Sequence, residues 1–189
     1  MTSALTGTHR PAAENAADPS EDGRTRCAWV RGHSAHYHFH DAEWGMFPDD
    51  EAFAQERLVL AAFQHGGMSL VDVLDSRAQI WEKLASCDLE KIGAMADGAL
   101  DELAKEGGIF GDRARLQFVR DIAKAGVETG KVCKGLREYY LAVRFLAADE
   151  QIADMIERFP GFTREDAGNL SEMTGSVTGS AHERDCWRA

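Results

Sequence analysis

The sequence lacks several features that would assign it to a common class of protein. No run of 18 or more apolar residues is present, so we expect no transmembrane helix and no membrane partner. The N-terminus has no charged start followed by an apolar stretch, which argues against a signal peptide and for a cytoplasmic protein. A Walker motif and a G-x-S-x-G nucleophile elbow are also missing. The phosphate loop and the serine nucleophile that those motifs carry are therefore not expected.

Basic residues are scarce relative to acidic ones. The chain has 21 Lys and Arg against 32 Asp and Glu, a net charge of −11. Nucleic-acid affinity comes largely from Lys and Arg at phosphates, so this charge argues against a broad nucleic-acid surface while leaving room for a local basic patch. The 189 residues, 44% of them apolar, suffice for one domain with a sizeable core. In a cytosolic chain, the four cysteines are expected to be thiols or metal ligands before disulfides.

Two regions of the chain differ in composition. Residues 1–25 lack apolar periodicity and are rich in Ala, Thr, Ser, Pro and charge. They cannot bury enough surface to offset their ordering entropy, so a disordered tail is predicted. Residues 26–189 show helical periodicity with short breaks, and strand alternation is nearly absent. This pattern predicts one all-α domain.

Helix boundaries are predicted from capping side chains and from glycines. The predicted helices run from the Asp49–Asp50 cap to a Gly66–Gly67 stop, onward from Ser69, from Arg77 to Ala85, from caps at Asp88 and Asp97, from Asp112 to a stop at Gly130, from Leu136 to Ala147 and from Glu150 to Arg158. The segment 171–180, SEMTGSVTGS, is predicted to be a loop of small residues.

The glycine-rich turn 107–111, GGIFG, joins two of these helices. Gly108 and Gly111 permit a tight turn with exposed backbone N–H groups, which predicts a helix-hairpin-helix. The N–H groups at the start of the next helix can cradle a phosphate, and Arg113 lies in the first turn of that helix. The alternative is an ordinary pair of helices with a glycine linker.

Four potential metal ligands lie near the two ends of the predicted domain. Cys27 and His40 lie near its start, and His182 and Cys186, spaced H-x3-C, lie at its end. Residues four apart on a helix point the same way, as a tetrahedral metal requires. Two thiolates and two imidazoles would form a closed, structural Zn²⁺ site that joins the termini. The alternative is an unrelated pair of residues, since H-x3-C alone is a common spacing.

Five segments together resemble the DNA-3-methyladenine glycosylase I family: RCAWV (26–30), FHDAEWG (39–45), GGMSLVDVL (66–74), EGGIFGDRARLQ (106–117) and LSEM (170–173). The resemblance implies an all-α fold with a helix-hairpin-helix. It also implies a zinc ion that ties the terminal segments together. Cys27 matches the family's R-C-x-W opening, His40 matches its Y-H-D-x-E-W-G motif, and His182 and Cys186 match its terminal H-x3-C pair.

The chain departs from this family at the residues that handle the base. The resemblance places Ala62 where the family has the glutamate that reads the methylated base and assists its departure. Leu70 replaces the tryptophan that stacks on the extruded base, and Phe39 replaces a tyrosine. Trp29 and Trp44 keep motif positions and are predicted to be core or pocket wall. A basic K-R-G-F-K-F-V-G stretch that the family has before its H-x3-C pair is missing.

These departures predict a remodelled pocket. Leu70 has no π-face, and stacking on an aromatic side chain contributes on the order of 1–3 kcal/mol per base. Ala62 has neither an acceptor nor a charge. His36 and His65, whose positions should border the pocket, are predicted to supply acid–base groups in their place, because histidine titrates near neutral pH. The alternative is that these histidines are loop residues exposed to solvent.

Three functions are compatible with this reading. The favoured one is a repurposed enzyme with a small-molecule substrate, as in specialised metabolism, that uses the His-rich pocket. The second is a DNA N-glycosylase that hydrolyses the N-glycosidic bond of 3-methyladenine or a related alkylated purine in DNA. The third is a non-catalytic module that binds nucleic acid or a protein partner through the 107–111 hairpin.

Overall fold

The computed structural model describes residues 22–30, 34–176 and Cys186. These residues form helices and turns without a strand, which confirms the all-α class. No helix in this part of the chain is long and apolar enough to cross a bilayer. Most of the predicted tail, residues 1–21, and the predicted ligand His182 lie outside the described residues. The tail and the domain boundary at residue 26 therefore stay predictions.

The described chain forms α1 to α10, with two 3₁₀ turns between them. The helices are α1 (Ser34–Ala42), α2 (Glu51–Gln64), α3 (Leu70–Asp75), α4 (Arg77–Lys83), α5 (Leu89–Gly93), α6 (Asp97–Lys105), α7 (Arg113–Cys133), α8 (Leu136–Val143), α9 (Ala148–Arg158) and α10 (Arg164–Met173). The 3₁₀ turns are Ala85–Cys87, before α5, and Gly108–Phe110, between α6 and α7.

Side-chain caps begin several helices where the sequence predicts them. Asp50 accepts a hydrogen bond from a backbone N–H in the first turn of α2, and Ser69 does the same for α3. Asp88 caps α5, and Asp112 caps α7. A capping side chain accepts one of the N–H groups that have no partner inside the helix, which fixes the helix start.

Several predicted boundaries are wrong. The predicted cap Asp97 is instead the first residue of α6, after Ala96. Helix α4 ends at Lys83 instead of Ala85, and α9 begins at Ala148 instead of Glu150.

Helix α7 runs through Gly130 and ends at Cys133, because Lys134 adopts the left-handed conformation (φ 67°) and donates its N–H to the Gly130 carbonyl. A single glycine costs a helix only about 1 kcal/mol, and tertiary packing overrides it. Helix α8 ends at Val143 instead of Ala147. The first residues of the predicted loop 171–180 belong to α10.

The core lies where α2 and α7 pack against each other. Almost every residue of α2 from Phe53 to Gln64 is buried, and α7 contributes a face of Leu116, Val119, Ile122 and Ala123. Gly126 extends that face of α7. An added Cβ there would lie 2.6 Å from Leu58 Cδ2 in α2 and 2.6 Å from Leu89 Cδ1 in α5. The absence of a side chain therefore sets how closely α7 approaches both helices.

We expect Gly126→Ala to destabilise the protein by about 1–2 kcal/mol. Overpacking in a core costs about 1–3 kcal/mol, and alanine's better helix propensity offsets part of it. Gly98→Ala is the matched control, because Gly98 is also helical but has nothing within 4 Å of its added Cβ. That control should stabilise by about 0.5–1 kcal/mol. Urea unfolding measures both, and effects of the same sign would contradict the close approach.

Candidate functional site

Three of the predicted metal ligands come together. The donor atoms of Cys27, His40 and Cys186 all lie within 4.8 Å of one another, and all three residues are buried. His40 Nε2 is 3.3 Å from Cys186 Sγ, although 146 positions separate the two in sequence. The chain therefore brings its first described segment and Cys186 to the end of α1.

The chemistry of this group fits a zinc ion. Two thiols and one imidazole are donors that zinc prefers in structural sites. The other ring nitrogen, His40 Nδ1, is hydrogen-bonded to Asp41 Oδ1 at 2.7 Å. Arg26 holds that carboxylate in turn, with Nη2 2.6 Å from Asp41 Oδ2. Metal-ligating histidines usually have such a carboxylate on the second nitrogen, which fixes the ring orientation and raises its basicity.

An aromatic cluster adjoins the ligand group. The Trp29 ring centroid lies 5.5 Å from those of His40 and Trp44 and 6.4 Å from that of Phe39. Phe39 and Trp44 are buried, whereas Trp29 is half-buried. The structure thus brings Trp29 and Trp44, predicted to be core or pocket wall, together with the pocket residue Phe39.

Ala62 and Leu70, which the resemblance assigns to the family's base-handling positions, have different environments. Ala62 is fully buried within the apolar core, in the last turn of α2. Leu70 is the first residue of α3 and is half-buried against the same core. Neither side chain carries a hydrogen-bonding group or a charge. Any acid–base chemistry nearby must therefore come from other residues.

A buried cluster of four charges lies next to the aromatic residues, and the sequence reasoning missed it. It consists of Glu43, Glu56, Arg57 and Arg77, each less than 5% exposed. Arg77 binds both Glu56 oxygens, at 2.7 and 2.6 Å, and Glu43 Oε1 at 2.9 Å. Arg57 Nη2 donates to Glu43 Oε2 at 2.5 Å. The sequence signal for this cluster was the charged pair Glu56 and Arg57 inside the otherwise apolar part of α2.

The charges of the cluster offset part of the cost of its burial. Desolvation opposes ionisation of Glu43, but the hydrogen bond from His38 and the charges of Arg77 and Arg57 outweigh it and hold the pKa of Glu43 well below its usual range. The Arg57 guanidinium also lies 4.6 Å from the Phe39 ring centroid and 4.0 Å from that of Phe53. Cation–π contacts of this kind are stronger when they are desolvated.

The predicted catalytic residue His36 is a buried residue of α1. Its side chain is 1% exposed, and Nε2 is 2.7 Å from Asp75 Oδ1 at the end of α3. The pair joins two helices. The loop alternative for His36 is therefore wrong, because α1 begins at Ser34. Its catalytic role stays a prediction.

The predicted catalytic residue His65 has a more accessible position. It follows the last residue of α2, and its side chain is 32% exposed. Nδ1 lies 2.8 Å from Oδ2 of Asp166, whose side chain is only 4% exposed. The imidazole stacks on Phe118, with ring centroids 3.9 Å apart and an interplanar angle of 19°. Two contacts thus orient the ring, and no described group is bonded to Nε2.

The two residues that contact His65, Asp166 and Phe118, are themselves held by neighbouring groups. Asp166 Oδ2 also accepts hydrogen bonds from the Thr163 N–H at 2.7 Å and the Thr163 hydroxyl at 2.8 Å, at the start of α10. Gly161 (φ 94°) lies against Phe118, where an added Cβ would be 2.8 Å from the ring. Asp166 was not predicted as a partner of His65, because the two residues are 101 positions apart in sequence.

The predicted hairpin lies between α6 and α7. Gly108 has a positive φ of 55°, whereas Gly111 is right-handed with φ −62°, and Ile109 and Phe110 between them are buried. The Arg113 side chain donates to Asp101 at 2.6 Å and to Asp97 at 3.2 Å. Carboxylates of α6 thus engage the arginine that was predicted to contact phosphate. The phosphate-binding role of this turn stays a prediction.

A cavity of about 860 Å³ lies elsewhere on the molecule, between α2, α5 and α7. Trp81, Gln55, Gly126 and Lys131 are among its lining residues, and none of the predicted site residues lines it.

The fold is that of an all-helical DNA glycosylase. It is similar to a crystal structure of 3-methyladenine DNA glycosylase I, with a TM-score of 0.72 over 86% of this chain and 98% of that chain, at 21% identity. Among curated proteins, it is similar to the DNA-3-methyladenine glycosylase of Haemophilus influenzae, with 33% identity over 53% of this chain and 54% of that protein. It is also similar to DNA-3-methyladenine glycosylase 1 of Escherichia coli, with 27% identity over 53% of each chain.

The family model for methyladenine glycosylase matches residues 29–169. The chain therefore belongs to the methyladenine glycosylase family, as its motifs predict. It spans about half the length of the curated relatives that it matches.

We expect Glu43→Gln to destabilise the protein by about 3–5 kcal/mol. The substitution removes the negative charge between two buried guanidinium groups, and an uncompensated buried charge has a cost of this size. Glu138→Gln is the control, because Glu138 is exposed and pairs with Arg137 on the surface. Its loss should cost less than about 1 kcal/mol. Urea unfolding compares the two, and equal effects would show that the buried cluster is not a stabilising unit.

Proposed function

We propose that this protein is an acid–base enzyme with a small polar substrate, built on the methyladenine glycosylase fold. The observation that carries this proposal is the His65–Asp166 pair. It combines a partly exposed imidazole with a buried carboxylate, one helical turn beyond Ala62. General acid–base groups are recognised by this arrangement of an accessible imidazole and an orienting partner.

The geometry sets the role of each ring atom. In the neutral imidazole, Nδ1–H donates to Asp166, so Nε2 holds the lone pair and can accept a proton from a substrate X–H group or from water. Asp166 then faces the imidazolium and stabilises its charge, while the Thr163 N–H and hydroxyl hold the carboxylate in place. His36, bonded to Asp75 and 1% exposed, is better suited to positioning α1 against α3 than to proton transfer.

The charge distribution favours a small substrate over duplex DNA. The chain has a net charge of −11, and the hairpin residue Arg113 is already bonded to Asp97 and Asp101. Affinity for DNA depends on cations that are available to phosphates. An extruded base would also find no aromatic or acidic partner here, because Leu70 has no π-face and the fully buried Ala62 supplies neither an acceptor nor a charge.

A DNA N-glycosylase is the second candidate. The names of the two curated relatives, both DNA-3-methyladenine glycosylases, favour it. A cationic alkylated purine is a good leaving group, so hydrolysis of its N-glycosidic bond without a glutamate is chemically feasible.

We also propose that Cys27, His40 and Cys186 bind a structural zinc, with His182 as the fourth ligand. A site with four protein ligands has no open position for a substrate, so the ion would stabilise the fold. Its place in the chain would link the segment before α1 to the C-terminal segment.

We expect the purified protein to contain one zinc per chain, measured by inductively coupled plasma mass spectrometry. Cys186→Ser should lower the zinc content to well below one and lower the melting temperature. Cys133→Ser is the matched control, because Cys133 lies in α7 outside the ligand group. Full zinc occupancy in Cys186→Ser would rule out this ligand set.

Two measurements on the same preparations test the proposed function. The first is hydrolysis of p-nitrophenyl acetate, a general probe for reactive imidazoles. His65→Asn should remove most of the protein-dependent rate, and Asp166→Asn should lower it roughly tenfold, because general-base catalysis requires the oriented ring. His38→Asn is the control, since it removes an imidazole that is even more exposed, at 46%. Equal losses in the three variants would contradict the proposal.

The second measurement is release of 3-methyladenine from alkylated duplex DNA. We expect no release above the rate without protein, with the Haemophilus influenzae relative as the positive control. Release that matches this control and persists in His65→Asn would establish the second candidate instead.

A further inference from the structure

An exposed apolar patch follows the end of α8. We define the Phe145 patch as Met46, Phe47, Arg144, Phe145 and Leu146. Phe145 is 80% exposed, Met46 44% and Leu146 38%. Phe47 connects the two segments, because the Arg144 guanidinium lies 5.2 Å from its ring centroid. An exposed apolar group of this kind on a soluble domain marks an interaction surface.

Arg144 differs from almost every other cation in the described part of the chain. There, Arg144 and Lys134 are the Lys and Arg residues that make no ion pair. On a chain with a net charge of −11, an arginine held by an aromatic ring and left without a carboxylate has its N–H donors available to a partner.

A small cavity adjoins the patch. It has a volume of about 210 Å³; Met46, Phe47 and Phe53 line it together with the polar side chains His38, Glu43, Asp49 and Asp50. Asp49 lies at the same cavity; it is exposed and has no ion pair or hydrogen bond to another described residue. A cavity of about 150 Å³ can hold a benzene ring, so this one has room for a phenyl group.

We propose that the occupant of this cavity is Phe145 of a second copy of the chain. In the resulting two-fold dimer, Phe145 enters the cavity beside Met46 and Phe47 of the partner subunit. Arg144 pairs with Asp49 of the partner subunit. Each contact occurs twice, as a two-fold interface requires.

The inserting residue Phe145 and the cavity that receives it lie on the same surface, which favours a second copy over another partner. Phe47 belongs to the patch and also lines the cavity. A two-fold axis through this region would therefore place Phe145 of each copy at the cavity of the other, and Arg144 of each copy near Asp49 of the other. Exposed Phe, Met and Arg are residue types enriched at protein interfaces. The carboxylates of Asp49 and Asp50 at this surface would repel a nucleic acid. The interface is independent of the chemistry proposed for His65.

The first test is the oligomeric state of the full chain, measured by size-exclusion chromatography with light scattering over a range of concentrations. We expect a concentration-dependent dimer whose dissociation constant rises at least about tenfold in Phe145→Ser, as for a central aromatic residue of an interface. Val132→Ser is the matched control: Val132 is 75% exposed at the end of α7 and outside the patch. That control should leave the dissociation constant unchanged.

The second test is charge reversal across the interface. Arg144→Asp and Asp49→Arg should each weaken the dimer, and the double variant should restore it, because the two charges exchange places. Circular dichroism verifies that the single variants remain folded. A monomer at every concentration overturns the proposal. A dimer that Val132→Ser weakens as much as Phe145→Ser, or a double variant without rescue, overturns it as well.

Discussion

Four buried charges decide how α1 meets the rest of the domain. Glu43, just beyond α1, accepts from Arg57 of α2 and Arg77 of α4, and Arg77 also binds Glu56 of α2. These groups can remain charged in the core only because each one faces an opposite charge. Phe39 and Phe53 both pack on the Arg57 guanidinium. The buried charges thus contact Phe39, which in turn contacts Trp29 and Trp44.

The site differs from the family pattern by local substitution on a retained frame. The resemblance assigns Ala62 and Leu70, both apolar, to the positions of the family's glutamate and tryptophan, and the structure places Ala62 in the core. His65 follows the last residue of α2, within one helical turn of Ala62, and is hydrogen-bonded to the buried carboxylate of Asp166. The frame is shared with the methyladenine glycosylases, whereas the chemical groups near this end of α2 are different. The proposed acid–base function would need this change of side chains and no change of fold.

Local rules predicted the helices well wherever a capping side chain was decisive. Asp50, Ser69, Asp88 and Asp112 begin helices as expected, because a cap is an interaction between residues two or three positions apart. Predictions at glycines were less reliable. Gly130 lies inside α7 and does not end it, because packing along the whole helix outweighs the small preference of one residue.

The sequence by itself determined the all-α class, the family, most of the helix starts and the identity of the residues that meet at the ends of the domain. Only the tertiary structure decided which side chains become partners. His65 and Asp166, 101 positions apart, show no local pattern that pairs them. The same holds for Arg77 and Glu43. Capping and hydrophobic periodicity act over a few residues, so they predict helices but not the partners of distant side chains. A buried charged side chain is paired with a group that the packing of the helices brings next to it.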